Sequence, residues 1–557
     1  MTDVIVARPV IDLADRFWQW FLARSPIYAT VLGDERYDDR LADPSPEGRA
    51  EEVAGFKGFL RDANEIETTG LDQEDEITLD MLKVVCRIQL REHELNVHHF
   101  AAMDQMAGPQ GLPGDLSRFQ RVDTEERLDR LLDRLSQFPE YLAMHRVNLL
   151  DGIAAGRTAA APVVERVIEQ TRRAAATPAD ESPLLLAHPE LDETSRERLK
   201  MAVEQWVLPA LADHLAAVEG YAPFARESEG IWGLPDGREL YETMILASTT
   251  LEETPEAIHE YGLQQLDSIR GETEAIAREL KFDDVASMRA ALAADPANYA
   301  KSGAEIVLLA SAQIAKANGA APQWFGRLPK APCEVRAVEP YQEREAPPAF
   351  YFPPAPDGSR PGIYFVNTYQ PENRPLYRLA STTYHEATPG HHFQITIEGE
   401  LTDLPDFRRF GSRLTGAAYA EGWGLYSERL ADEMGLFESA WERLGMLDAQ
   451  AWRAARLVVD TGLHAFKWSR ARSVELLRAI GLSELEAGTE TDRYIAWPGQ
   501  ALAYMTGMRE ILALRHQIEL RDGSHFDIKG FHDELIGHGS LPLATLKRYL
   551  PEWVKPR

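Results

Sequence analysis

Cysteine is nearly missing from this sequence, with two thiols, Cys86 and Cys333, among 557 residues. That count argues against a disulfide-stapled secreted scaffold and fits a reducing compartment, where both thiols are expected to be buried and inert. Long apolar runs are missing too. No stretch approaches the roughly 20 apolar residues of a membrane span, and the opening MTDVIVARPVIDLADRF shows no basic segment followed by an apolar one. A soluble, cytoplasmic protein is the expectation. Basic residues are in deficit, 59 against 89 acidic. The resulting net charge of −30 repels a phosphate backbone and an anionic membrane alike, which disfavours nucleic-acid and membrane partners. This acidity is spread along the chain and reads as a solubilising surface rather than a partner-recruiting tail. No Gly/Ser linker, single-sign charge run or internal repeat divides the sequence.

What is present is enough apolar surface for a large core, 44% hydrophobic against 27% charged residues. Most of it recurs at three- and four-residue spacing, as in IDLADRFWQWFLA, DEITLDMLKVVCRIQLREHEL and TPEAIHEYGLQQLDSIRGETEAIARELK. The last opens with Thr254 as N-cap and Pro255 at the first helical position. The expected fold class is therefore mainly α. We expect two lobes in one compact body, a helical lobe over 1–325 and a second over 326–557. Loops are expected at GPQGLPG, residues 108–114, and across about 340–375, where nine prolines surround two apolar runs. Those runs, AFYFPP and GIYFVNTY, read as strands of a small sheet with an exposed edge that could pair with an extended peptide or simply prop the next helix. Helices are expected again in SRLTGAAYAEGWGLYSERLADEMG, from about 438 to 479, and from about 498 to 518.

Between that sheet and those helices lies STTYHEATPGHHFQ, residues 381–394. A zinc hydrolase needs three protein ligands, an open position and a carboxylate that takes a proton from water. In the familiar His-Glu-x-x-His helix the two histidines lie one turn apart. Here the residue four after His385 is Pro389. His391 and His392 stand six and seven residues on, which in an unbroken helix puts them roughly 9 to 10.5 Å further along the axis, too far to share an ion with His385. Proline, however, removes the bond to the His385 carbonyl and disfavours helix at Thr388, and Gly390 adds freedom. One version of the break ends a helix near Ala387, uses Thr388 as cap and Pro389 as first residue of the next, and places His391 in the following turn; a local bulge would bring the histidines together equally well. A third ligand is offered by Glu421 in AYAEGWGLYSE, with Gly422 and Gly424 permitting close approach to the metal helix. Glu428, two turns on, is placed to support a ligand. Asp460 and His464, four apart, could orient one another, stabilise a transition state or ligate. Tyr504 and His464 are candidate oxyanion donors, with Tyr494 behind them. Arg456, Arg472 and Arg509 could grip a substrate carboxylate.

These segments resemble the bacterial family catalogued as domain of unknown function 885. The likeness rests on TTYHEATPGHHFQ, AYAEGWGLYSERLADEMG, DTGLHAFKWSRARSVEL and YIAWPGQALAYMTGMREI, and extends to SPIYATVLGDERYDDRL, LPDGRELYETMI and HGSLPLATLKRYL, nearly the whole chain. The family looks like a distant relative of the gluzincin metallopeptidases, in which two histidines and a downstream Glu bind zinc. AEGWGLY is similar to the Asn-Glu-Gly-Phe-Ala segment of N-type aminopeptidases. Helix-rich relatives of the Taq carboxypeptidase type suggest an all-α, metallopeptidase-like body with a substrate channel. The resemblance implies Zn2+, or another divalent metal, on His385 and Glu421, with Glu386 as general base. It favours His391 as the remaining ligand, since Gly390-His391 resembles the Gly-His that closes such motifs, with His392 as the alternative.

The expected function is hydrolysis of peptide or amide bonds in short peptides, carboxypeptidase- or dipeptidase-like, with Glu386, Tyr504 and His464 in catalytic roles. Two rivals stand beside it: a catalytically silent peptide-binding protein, and a metal-dependent enzyme performing non-hydrolytic chemistry on an amino-acid-derived metabolite.

Overall fold

Helices form wherever apolar residues recur at helical spacing, and the computed structural model describes residues 8–339, 343, 346–355, 358 and 360–556. The segment read as IDLADRFWQWFLA becomes the helix Pro9–Arg24, with Pro9 in the first turn and Val10, Leu13, Phe17 and Leu22 buried. DEITLDMLKVVCRIQLREHEL becomes Gln73–Glu94, capped by the Asp72 side chain on the Asp75 N–H. No described helix is long and apolar enough to cross a membrane. Both cysteines are free. Cys86 is buried, but Cys333 is only half-buried, short of the full burial expected. Desolvation pushes each thiol up to about 12.

Two compact units emerge. The first comprises Met1–Thr243, Leu463–Arg470 and Gly488–Pro498, the second Met244–Gly462, Ala471–Ala487 and Gly499–Arg557. The division thus falls at Thr243/Met244 and not at 325/326. Helix α1 (Pro255–Glu279) explains part of the shift, because a Cβ at Gly262 would meet Leu457 and Val458 at 2.8 Å. Helix α2 (Gly303–Ala320) explains the rest, as Ala317 shares a buried cluster with Ala380, Tyr384 and Ala431. As expected, Thr254 caps α1, its hydroxyl accepting from the Ala257 N–H at 3.3 Å.

In the first unit a leucine-rich core runs from Leu112 to Leu211 and includes Leu131, Leu142 and Leu185. Beside it the fully buried Arg134 donates to the carbonyls of Arg40 and Tyr37 and to Gln120, and stands 3.6 Å from Asp38. The stretch 108–114 is not wholly loop. A short 3-10 turn at Pro109–Gly111 leads into the helix Leu112–Phe119, where Pro113 sits in the first turn and loses no hydrogen bond.

The second unit holds a three-stranded sheet in the order β1-β3-β2, made of β1 (Cys333–Ala337), β2 (Ala349–Phe352) and β3 (Gly362–Val366). β3 pairs parallel to β1, with Val335 opposite Tyr364, and antiparallel to β2, with Tyr351 opposite Tyr364. Its continuous apolar run suits the buried centre, while β1, the strand not foreseen, carries Glu334 and Arg336 on an outer edge. After the sheet come α3 (Leu379–Glu386), α4 (His391–Gly399), α5 (Ala418–Glu433), α6 (Ala440–His464) and α7 (Ala503–Asp522). The continuous helix expected over 438–479 is interrupted after His464 and resumes at Arg470–Ala479, with Lys467 left-handed at φ 58° between the two.

Candidate metal centre

The break at Pro389 sets the geometry. Helix α3 closes with the Ala387 N–H on the Thr383 carbonyl at 2.8 Å, and Ala387 itself leaves helical conformation at φ −107°, ψ −112°. The Thr388–Pro389 peptide is cis. Helix α4 then begins at His391 with Gly390 at its N-cap, and the Gly390 carbonyl accepts from the Gln394 N–H at 3.1 Å. The restart is therefore two residues later than expected. Thr388 is no cap, for its buried hydroxyl has no partner among the described residues. The later start follows from close backbone contact, since a Cβ on Gly390 would overlap the His385 carbonyl, and only glycine fits there. Trp423 of α5 fastens the break, donating its indole N–H to the carbonyls of Pro389 at 2.9 Å and Gly390 at 3.2 Å.

Folded this way, the chain brings together His385 from the end of α3, His391 from the start of α4 and Glu421 from the first turn of α5. One potential ligand atom from each lies within 4.8 Å of the others, and this trio is the metal-type cluster found among the described residues. Glu421 Oε2 is 3.5 Å from His385 Nε2 and 3.4 Å from His391 Nε2, and the two rings meet edge to face at 4.8 Å. The trio is graded in exposure, with side chains 4%, 12% and 22% accessible for His385, His391 and Glu421, so one side stays open.

Behind His385 stands Glu428, as its place two turns after Glu421 suggested. Its Oε1 is 2.8 Å from His385 Nδ1, and its Oε2 accepts from the Ser381 hydroxyl at 2.7 Å. Burial alone would lower the His385 pKa. Glu421 and Glu428 override it, raising the ring to about 10 and making it an imidazolium near neutrality. Burial would raise Glu421, yet the two histidines hold it well below the ordinary carboxylate range. Gly424 provides the seat for the His385 ring, whose Cε1 and Nε2 would lie 2.8 and 2.9 Å from a Cβ there. Gly422 serves a different helix than expected, packing against Gly507 of α7.

Other candidates separate clearly. His392 faces the sheet, its Nδ1 3.0 Å from the Tyr351 hydroxyl and its Nε2 3.1 Å from the Ala331 carbonyl, over Gly362, where a Cβ would strike the ring. Desolvation lowers it to about 4. His391, not His392, is therefore the histidine beside His385. Glu386 ends α3 half-buried, with no hydrogen bond or ion pair to its carboxylate among the described residues. Tyr504 lies nearly parallel to the His385 ring at 6.5 Å. His464 is not part of this cluster. It belongs to the first unit, where Nδ1 accepts from the Ile231 N–H at 3.2 Å and Nε2 donates to the Tyr494 carbonyl at 2.9 Å. Both nitrogens are committed, leaving none for Asp460, which takes the Gly499 N–H at 3.0 Å. Tyr494, fully buried, supplies a backbone carbonyl and stays in that unit. Arg509 is ion-paired with Glu253 at 2.7 Å. Sequence reasoning missed Ser381 and Trp423, although Ser381 stands one turn before His385 and Trp423 lies between the two noted glycines.

Comparison with known proteins adds a family and a fold. The family model described as "Bacterial protein of unknown function (DUF885)" matches residues 26–550. A crystal structure from Colwellia psychrerythraea, described as a "putative lipoprotein", aligns with TM-score 0.93 at 28% identity over 98% of each chain. Another solved structure, from Shewanella oneidensis, described likewise and as "of unknown function", aligns with TM-score 0.77 at 20% identity over 97% of this chain and 99% of that one. None of the curated proteins matches this chain.

Proposed function

This chain belongs to the DUF885 family, and we propose that it is a zinc-dependent hydrolase of peptide or amide bonds acting on short peptides. In this reading it is a metallopeptidase in architecture as well as chemistry, with a distant gluzincin-like relation. The observation that carries the reading is the meeting of His385 Nε2, His391 Nε2 and the Glu421 carboxylate across a helix break.

The donor set suits zinc, with two imidazole nitrogens, one carboxylate oxygen and an open side, as catalytic zinc sites have. Glu428 on Nδ1 also suits it, because a carboxylate behind a ligand histidine fixes the tautomer that leaves Nε2 for the metal. When bound, zinc would supply Lewis acidity, polarising a scissile carbonyl and bringing the pKa of water towards 7. Glu386, adjacent to His385 and with no hydrogen bond or ion pair to its carboxylate among the described residues, takes the proton from the attacking water and returns it to the leaving amine. Tyr504, its ring beside His385, is the candidate hydroxyl donor to the oxyanion. His464 drops out of the catalytic set, since neither ring nitrogen has a lone pair or proton to offer.

Elemental analysis of tag-free protein, with turnover on a peptide library, tests the reading. Wild type should hold stoichiometric zinc. Glu386→Gln should keep it while losing about 10²–10⁴-fold in rate. Protein that takes up no zinc after dialysis against it sinks the proposal, and unchanged turnover in Glu386→Gln removes that residue as base.

A further inference from the structure

We propose that Arg453 and Arg456 form a carboxylate anchor beside the metal centre, and that the substrates are short peptides with a free C-terminal carboxylate held there. This inference rests on the hydrolase reading and names its substrate class.

The two arginines lie three residues apart, on one face of α6. Both guanidinium groups sit over the same aromatic ring, Arg456 at 4.5 Å and Arg453 at 5.8 Å from the Tyr504 centroid. That ring in turn lies along the His385 ring at 6.5 Å. The order is thus metal ligand, tyrosine, guanidinium pair. The two ring separations, 6.5 and 4.5 Å, set an upper limit on the span from metal ligand to Arg456 that about three residues of extended chain would cover, at about 3.3–3.6 Å per residue, so short peptides reach both ends.

Charge makes the pair unusual. Two cations crowd one ring, and in a chain of net charge −30 Arg453 has no carboxylate within ion-pair distance among the described residues. Among the described residues its Nε is buried without a hydrogen-bond partner, and its NH1 reaches only the Ala449 carbonyl of its own helix, at 3.5 Å. Arg509, by contrast, pairs with Glu253 and Glu510. A half-buried guanidinium left without a counter-ion is costly, and a ligand carboxylate would offset that cost through charge-assisted, planar hydrogen bonds. The Tyr504 ring thus lies between the two ends, beside His385 on one side and under the guanidinium pair on the other.

Carboxylates can come from a chain terminus or from Asp and Glu side chains, and one experiment separates them. The probe is a pool of N-acetylated tripeptides, half as free acids and half as matched C-terminal amides, with Asp and Glu present in both halves. Zinc-loaded wild type should cleave the free acids at least about tenfold faster in kcat/KM. Arg453→Gln and the Arg453→Gln/Arg456→Gln double variant should keep their zinc, raise KM for the acids and erase the preference over amides. Equal cleavage of acids and amides, or a preference that survives in both variants, overturns the anchor. If wild type holds zinc and cleaves neither, the hydrolase reading fails by itself. The anchor is then judged by retention on zinc-loaded Glu386→Gln protein after ultrafiltration, with retained peptides identified by mass. Retention of free acids alone upholds it. Equal retention, no retention, or retention of amides through Asp and Glu overturns it.

Discussion

Buried histidines in the two units are held in opposite ways. In the first unit, His464 is gripped at both ends by the backbone, an N–H on Nδ1 and a carbonyl on Nε2, and burial drives its pKa down to about 3. In the second unit, His385 is as deeply buried but is met by carboxylates, Glu428 behind and Glu421 in front, and its pKa rises to about 10. Burial is the same and chemistry is reversed. Backbone partners fix a neutral ring and use up its donor and acceptor. Carboxylates on both sides favour a positive charge at the ring, and a divalent cation would meet that same demand. The histidine pairs repeat the lesson. His98 and His99 lie 4.4 Å apart, with desolvation lowering His98 to about 3, and no third ligand joins them among the described residues. His391 and His392 are separated by the break, one towards Glu421 and one towards the sheet.

The strongest way to break this contrast is to remove the front carboxylate. Glu421→Gln should abolish stoichiometric zinc, because only two imidazoles remain and both lose the anion that faces them. Zinc retained at wild-type stoichiometry would show that Glu421 does not hold the metal and that the proposed site is wrong. Removing the rear carboxylate should do less. Glu428→Gln keeps a hydrogen-bonding group on Nδ1 but loses the charge, and zinc affinity should fall by about 10- to 100-fold. A competition titration with a chromophoric chelator measures it, and an unchanged affinity would remove Glu428 as a supporting residue. Gly390→Ala attacks the break itself. Its new methyl would collide with the His385 carbonyl, and a loss of about 1–3 kcal/mol is expected in a chemical melt, with weaker zinc uptake.

Much of this centre was legible because each signal was local and chemical. Pro389 and Gly390 announced a break, His385 and a glycine-flanked Glu421 marked two of the residues that meet across it, and Glu428 followed from helical periodicity. What stayed hidden depended on contacts distant in sequence. Nothing near His392 in the sequence says that Tyr351 and Ala331, forty-one and sixty-one residues earlier, take its ring. His464 looked available because Ile231, more than two hundred residues away, could not be foreseen as its partner. The unit boundary failed similarly, since Gly262 reads as an ordinary helix position until Leu457 and Val458 close against it. The restart of α4 at His391 was missed for a subtler reason. Thr-Pro is a good opening for a helix, but the contact between Gly390 and the His385 carbonyl overrides that local preference.

The smallest effect on metal should come from His464, and its signature lies in pH. Its folded-state pKa, about 3, is below the ordinary value of 6.5, so protons bind the unfolded chain more readily. Its contribution is therefore full above pH 6.5 and is lost as pH falls towards 3. His464→Gln should retain wild-type zinc and be destabilised at pH 7 by about 1–3 kcal/mol through its two lost backbone bonds. Between pH 7 and pH 5, wild type alone bears the cost of charging this ring on unfolding, so the gap between the two proteins should narrow by about 2 kcal/mol. His385 in the zinc-free protein carries the opposite sign, its contribution present below pH 6.5 and lost as pH rises towards 10. Urea melts of zinc-free wild type, His464→Gln and His385→Gln from pH 5 to pH 9 measure both slopes. A His464→Gln gap that stays constant between pH 7 and pH 5 would mean that the ring is not held neutral by its two backbone partners, and the contrast between the two units would lose its physical basis.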